Sequence, residues 1–283
     1  VETITILKDA AATSVYGSRA ANGVVVVETK VAPDGDLSVS YNGTMTVQTP
    51  DLTDYNMMDA ATKLDTEWRA GLYNPASASD MNLYNRYRRN VLGGVDTYWL
   101  SKPLRTAFQH RHSASVSGGT EVFRYSLDIN AAMQPGVMKE SANNTKGVNF
   151  NMSYMKEKFI MRANVSLNES NSSNSPYGSF SQYTRLNPYY IPEDANGNQQ
   201  KVLDNNTVSG QSTIITNPLY DATLGIKDLN NSLNMTTSLN LEYMVLRNLR
   251  ITEQLSYTRG MAGTDKFLPA DHTSFELEDD LTR

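Results

Sequence analysis

"LSVSYNGTMTVQ", residues 37–48, alternates with a period of two. Leu37, Val39, Tyr41, Met45 and Val47 fall on one side, and Ser38, Ser40, Asn42, Thr44 and Thr46 on the other. Successive side chains of a strand point to opposite faces, so the stretch reads as a strand with one apolar and one polar face. Further along the chain the same period recurs in "FRYSLDINAAM" (123–133), "VNFNMSY" (148–154), "FIMRANVSLN" (159–168), "NMTTSLNLEY" (234–243) and "LRITEQLSYT" (249–258). "HSASVSGG" (112–119) is weaker, with only Ala114 and Val116 on its apolar face. These segments predict about seven strands, most of them near the ~9–11 residues that a tilted strand needs to cross a bilayer.

The predicted links fall into two sorts. "SGGTE" (117–121), "MKEK" (155–158) and "VLRN" (245–248) are short, whereas residues 49–107, 134–146 and 169–233 form long connections. Short turns alternating with long loops are the pattern of an outer-membrane barrel. Phe123, Tyr125, Tyr154, Phe159 and Tyr243 cluster beside the short turns, where amphipathic rings suit a membrane interface. A soluble antiparallel sandwich gives the same alternation, with the apolar face buried instead of lipid-exposed. It has no reason to sort long and short loops onto opposite ends.

Composition narrows the function classes. The 283 residues carry a net charge of −5 and 39% hydrophobic residues, with a mean hydropathy of −0.47. An acidic balance argues against a phosphate backbone as partner. With no cysteine there is no disulfide, no cysteine-based zinc site and no thiol nucleophile. No GxSxG, HExxH or P-loop pattern is present, so the sequence offers no catalytic residue and calls for no cofactor.

The chain opens differently, on "ITILKDAAATSVYGSRAANGVVVVETK" (4–30). Ile4–Leu7 reads as a short strand, Asp9 as an N-cap for Ala10, Ala11 and Ala12, and Gly17 as the helix end. Asn22-Gly23 reads as a turn into the β-branched run Val24–Val27, a pattern that suits a strand buried on both faces. A strand–helix–strand unit needs further strands before it, and the chain starts at Val1 without an initiator Met, so it reads as a piece of a longer protein.

This opening stretch resembles the closing segment of the plug in TonB-dependent outer-membrane receptors, and its "KDAAATSVYGSRAANGVV" form resembles the SusC/RagA branch of Bacteroidetes. "LSVSYNGTMTVQTP", "VDTYWL…RTAFQHRHSASVSGGTEVFRYSLDIN" and "RLNPYYIPED" extend the resemblance over essentially the whole chain. It implies residues 1–33 as the end of an α/β plug, with Lys8, Asp9, Gly17, Arg19, Asn22 and Gly23 as its motif. Residues 34–283 would form the first part of a 22-stranded antiparallel transmembrane β-barrel, about seven of whose strands are present and leave two open edges. It also implies a cell outer membrane location, contact with lipid and lipopolysaccharide, and partnership with a SusD-like surface lipoprotein. A TonB–ExbB–ExbD complex would act through the plug's missing N-terminal part. The implied function is import of oligomeric nutrients, mainly oligosaccharides and otherwise peptides. A surface-binding or signalling receptor of the same family, or a soluble β-rich adhesin or carbohydrate-binding module, are the alternatives.

Candidate ligand-binding residues are aromatic. Tyr177, Tyr183, Tyr189 and Tyr190 in "YGSFSQYTRLNPYY", with Tyr98 and Trp99, either stack on sugar rings or pack the loops against themselves. His110 and His112 share a strand face, but with no third ligand they make no metal site; near a membrane interface they suit lipopolysaccharide phosphates. Lys8 and Arg19 are candidates to pair with acidic residues of the barrel wall, and Glu253 interrupts the apolar face of its strand.

Overall fold

The computed structural model describes residues 3–8, 23–28, 35–208 and 211–275. The strands are β1 (Thr3–Leu7), β2 (Val24–Glu28), β3 (Gly35–Gln48), β4 (Ala107–Gly119), β5 (Phe123–Met133), β6 (Ala142–Lys156), β7 (Phe159–Ser173), β8 (Val202–Val208), β9 (Gln211–Thr216), β10 (Lys227–Leu246) and β11 (Leu249–Phe267). Four helices lie between them: α1 (Ala60–Arg69), α2 (Ala78–Leu92), α3 (Phe180–Tyr183) and α4 (Pro218–Asp221), so counted among the described residues.

All seven alternating segments become strands of one antiparallel sheet, ordered β11-β10-β7-β6-β5-β4-β3. It is an open sheet whose edges, β3 and β11, have no further strand beside them among the described residues. The short links are short indeed. Glu157 and Lys158 join β6 to β7, with Glu157 at φ 50°, and Arg247 and Asn248 join β10 to β11. Thr120 N–H donates to Phe123 O at 2.6 Å to close the β4–β5 turn. At this end Phe123 faces Tyr154 and Tyr243 faces Phe159 across neighbouring strands, as an aromatic rim.

Register extends the two-sided pattern across the whole sheet. One transverse row reads Val39, Val116, Leu127, Phe150, Val165, Thr237, Tyr257, and the next on that face reads Tyr41, Ala114, Ile129, Val148, Leu167, Met235, Arg259. The opposite face reads Ser40, Ser115, Asp128, Asn149, Ser166, Thr236, Thr258, then Asn42, Ser113, Asn130, Gly147, Asn168, Asn234, Gly260. A slip of one residue in any pairing would invert a strand and break both rows. On the polar face Asn164 Nδ2 donates to Asn151 Oδ1 at 2.7 Å, and the Ser40 and Ser115 hydroxyls meet at 2.6 Å.

The apolar face is open. Val39 and Tyr41 are 67% exposed and Tyr257 58%. No second sheet covers this face among the described residues. A continuous exposed apolar surface of this width marks contact with lipid or with another protein. Glu253, opposite Leu241, lies on this apolar face and not on the polar one that a plug would meet.

β1 and β2 pair antiparallel, Thr3 with Glu28 through Leu7 with Val24. Ile4 and Ile6 are 61–62% exposed, and so is Val25 at 61%, in contrast to the burial on both faces expected of the Val24–Val27 run. The helix expected between them lies outside the described residues.

Candidate functional site

The long links, all at the end of the sheet away from the short turns, fold together into one compact unit. Residues 49–106 contain α1 and α2, neither of which the alternation pattern predicted. Asp59 caps α1, its carboxylate accepting Thr62 N–H at 2.7 Å, and this contact holds its carboxyl below the usual range. Ser77 caps α2 by accepting Asp80 N–H at 3.3 Å. Ala60, Leu64 and Glu67 line one face of α1, and Asp80, Leu83 and Tyr87 one face of α2, at the three- and four-residue spacing of an amphipathic helix.

Those faces close over the second long loop, residues 174–226. The shared core holds Leu64, Tyr73, Leu83, Tyr87, Trp99 and Leu100 from the first loop with Tyr183, Tyr189, Tyr190 and Leu219 from the second. Tyr87 and Tyr189 stack with centroids 4.3 Å apart. Polar bonds fix the register between the loops. Trp99 Nε1–H donates to Asn187 O at 2.9 Å, Thr97 N–H to Pro188 O at 2.7 Å and Thr97 Oγ1–H to Tyr190 O at 2.9 Å. The Glu67 carboxylate accepts the phenols of Tyr73 at 2.9 Å and Tyr189 at 3.0 Å on the same oxygen. The buried Asp204 carboxylate of β8 accepts from Arg86 and from Tyr87.

Burial raises the Tyr189, Tyr183 and Tyr73 phenols above the ordinary tyrosine range; for Tyr73 the nearby Glu67 charge adds to it. The short middle loop joins in. Lys139 Nζ donates to Lys102 O at 2.6 Å and Ser175 Oγ–H to Lys139 O at 2.6 Å, so residue 139 touches both larger loops. After β11, Thr273 N–H and Oγ1–H both bind the Asp221 carboxylate, at 2.9 and 2.6 Å.

Two recesses open on this unit. A cleft of about 130 Å³ is lined by Met57, Met58, Asp59, Asp96, Tyr98, Leu186 and Pro188 among others, with Met57, Met58 and Tyr98 more than 40% exposed at its rim. A wider groove of about 720 Å³ runs along α2 beside β8, lined by Ser79, Asn82, Asn85, Arg86, Arg89 and Asn205 over Leu83.

The aromatic candidates divide. Trp99, Tyr183, Tyr189 and Tyr190 sit in the core at 5% exposure or less, and of these Trp99 and Tyr183 also line the cleft. Tyr98 is open to solvent at the cleft rim, and Tyr177 is half-buried with Lys139 Nζ 5.5 Å above its ring. The groove residues were not singled out in the sequence; the Asn-Arg spacing on α2 is the signal that would have found them. His110 Nδ1 and His112 Nε2 lie 3.1 Å apart, and Tyr41 Oη meets His112 Nδ1 at 2.6 Å. Of the opening motif, Lys8 and Gly23 are described, Gly23 at φ 99°, while Asp9, Gly17, Arg19 and Asn22 lie outside the described residues.

Known proteins match this chain over part of their length. It is 32% identical over 145 residues to the TonB-dependent receptor SusC of Bacteroides thetaiotaomicron, a match covering 50% of this chain and 13% of SusC. TonB-dependent receptor P26 of Formosa agariphila is 29% identical over 171 residues, covering 59% of this chain and 15% of that protein. The RagAB peptide importer in its open-open state superposes with a TM-score of 0.70 at 22% identity, over 92% of this chain and 32% of that one. That likeness is one of fold. No protein-family profile matches the chain. In sequence the chain is similar to part of SusC and of a second TonB-dependent receptor, spanning about an eighth to a seventh of their length, and in fold it is similar to about a third of the RagAB chain.

Proposed function

We propose that the protein imports an oligomeric nutrient, a glycan, across the outer membrane of a Gram-negative bacterium. In this reading residues 34–283 are barrel wall and extracellular loops, and residues 1–33 are the end of the plug that the TonB–ExbB–ExbD complex pulls. A SusD-like lipoprotein covers the mouth. The observation that carries the proposal is the register: seven neighbouring strands keep one apolar face and one Ser/Thr/Asn face, while their long links gather at one end into a unit with its own core. Such a wall suits a lipid exterior and a wet lumen, and long loops in a tight architecture are usually functional. Cargo is held by the loop unit, where Tyr98 offers a free ring. No covalent step is involved.

The test is uptake by cells that express the full protein with its TonB machinery, fed a mixture of oligosaccharides and oligopeptides. Depletion of particular glycans, followed by mass spectrometry and abolished by a protonophore, is the expected result. Depletion that persists without a proton gradient, or that takes peptides alone, overturns the proposal.

A further inference from the structure

The groove between α2 and β8 has chemistry of its own. Ser79, Asn82, Arg86 and Arg89 recur every three or four residues, so they form one stripe along about 15 Å of helix. Asn205 faces them from β8. Arg86 is fixed from behind: its guanidinium is bound by Asp204, whose side chain is 2% exposed, while the Arg86 side chain remains 44% exposed. That carboxylate also accepts from Tyr87, so the arginine is presented at the groove and not free to swing away. Arg89, one turn on, has no carboxylate in ion-pair range among the described residues. Asp204 neutralises one of the two guanidiniums, so the groove keeps a net positive charge.

We infer that this groove binds an anionic oligosaccharide, a sugar chain carrying carboxylates; the inference rests on the import reading above and refines its cargo. A planar guanidinium pairs with a carboxylate through two parallel N–H donors, and Arg89 has that fork unspent. Asn82, Asn85 and Asn205 each supply donors and an acceptor, and Ser79 a hydroxyl, matching hydroxyls that donate and accept in the same way. The one apolar wall, Leu83, is 7% exposed, so the groove has no pocket for the apolar side chains of a peptide. The cleft of Met57, Met58 and Tyr98 differs in charge, since Asp59 and Asp96 line it and, among the described residues, no cation does, which gives the loop unit one recess with carboxylates and one with guanidiniums.

The experiment is calorimetric binding to the full protein in detergent, with hexagalacturonate, maltohexaose and hexaglutamate as probes. Hexagalacturonate is expected to bind most tightly and to weaken with added salt. Arg89→Gln should weaken it about tenfold, Arg89→Lys by less because it keeps the charge without the fork. Asn82→Ala with Asn205→Ala provides a second, uncharged variant that should weaken it about threefold or more. In a background where Trp99 is the one remaining tryptophan, its unchanged emission shows in each case that the loop unit is intact. Equal affinity of wild type and both variants for hexagalacturonate overturns the inference, as does hexaglutamate binding equally well. Energised uptake of maltohexaose with no binding of hexagalacturonate removes this inference and leaves the import reading standing. Groove-dependent binding of hexagalacturonate without energised uptake does the reverse.

Discussion

Replacing Glu67 by alanine removes the acceptor that ties the two long loops together. Glu67 is 8% exposed, and the two phenols on its carboxylate belong to Tyr73 at 3% and Tyr189 at 1%. Each buried O–H left without a partner costs about 1–3 kcal/mol, so the pair costs on the order of 2–6 kcal/mol. Lys63 Nζ, 3.3 Å from the other carboxylate oxygen, is 37% exposed and regains water, adding little. Glu67→Gln keeps an acceptor oxygen and should cost only about 1 kcal/mol. These 283 residues carry two tryptophans, so a background with Trp68 and every tryptophan outside this segment replaced by Phe isolates Trp99, whose indole is anchored to Asn187 across the loop interface. Urea unfolding of the full protein in detergent, followed by Trp99 emission, then reports on the loop unit. A Glu67→Ala shift below about 0.5 kcal/mol, or a Glu67→Gln variant as damaged as the alanine one, refutes the role given to this carboxylate.

On the sheet, Leu127→Arg in mid-strand should cost about 2–4 kcal/mol in a membrane-embedded assay, whereas Asn130→Arg should assemble normally. Equal tolerance at the two positions counts against a lipid face. Alkaline pH should loosen the loop unit. Tyr73, Tyr183 and Tyr189 stay protonated in the fold above the ~10 at which an unfolded chain ionises them, so the folded state binds more protons there and stability falls as pH rises past ~10. Trp99 emission should be flat below that value and report opening above it; a flat profile well above it contradicts the burial. Asp59→Ala should cost about 0.5–2 kcal/mol in the stability of α1, at the low end because Asp96 still accepts Ala60 N–H at 3.0 Å. Hydrogen exchange across residues 60–69 measures it.

The sheet was legible because both of its environments write themselves into a period of two. All seven segments named from alternation are strands, including "HSASVSGG", whose small residues hid the pattern until Val116 was seen between Val39 and Leu127. The strands run longer than the alternation suggested, since polar residues at the loop end, as in Asn143–Lys146 of β6, keep pairing where the apolar signal has stopped. The loop unit was not read. Its helices bury tyrosines, a glutamate and an aspartate where an apolar stripe would be expected, so they carry no clear helical period of apolar residues. The signals present were the caps at Asp59 and Ser77. The tyrosines of "RLNPYYIPED" were visible as a cluster, but sequence alone left open whether they face a ligand or each other. Partners more than ninety residues away, Tyr87 and Glu67 among them, decide where these rings lie, and that pairing carries no local mark.

The most direct test of the membrane-wall account is spin-label accessibility along β5, β6 and β7 in the full protein reconstituted into lipid vesicles. Labels at Leu127, Ile129, Val148 and Val165 should collide with dissolved oxygen and be shielded from a water-soluble nickel reagent. Labels at Asp128, Asn130, Asn149 and Ser166 should show the reverse, so accessibility alternates residue by residue and in phase between strands. Nickel accessibility at both sets, or alternation that falls out of phase from β5 to β7, contradicts the account.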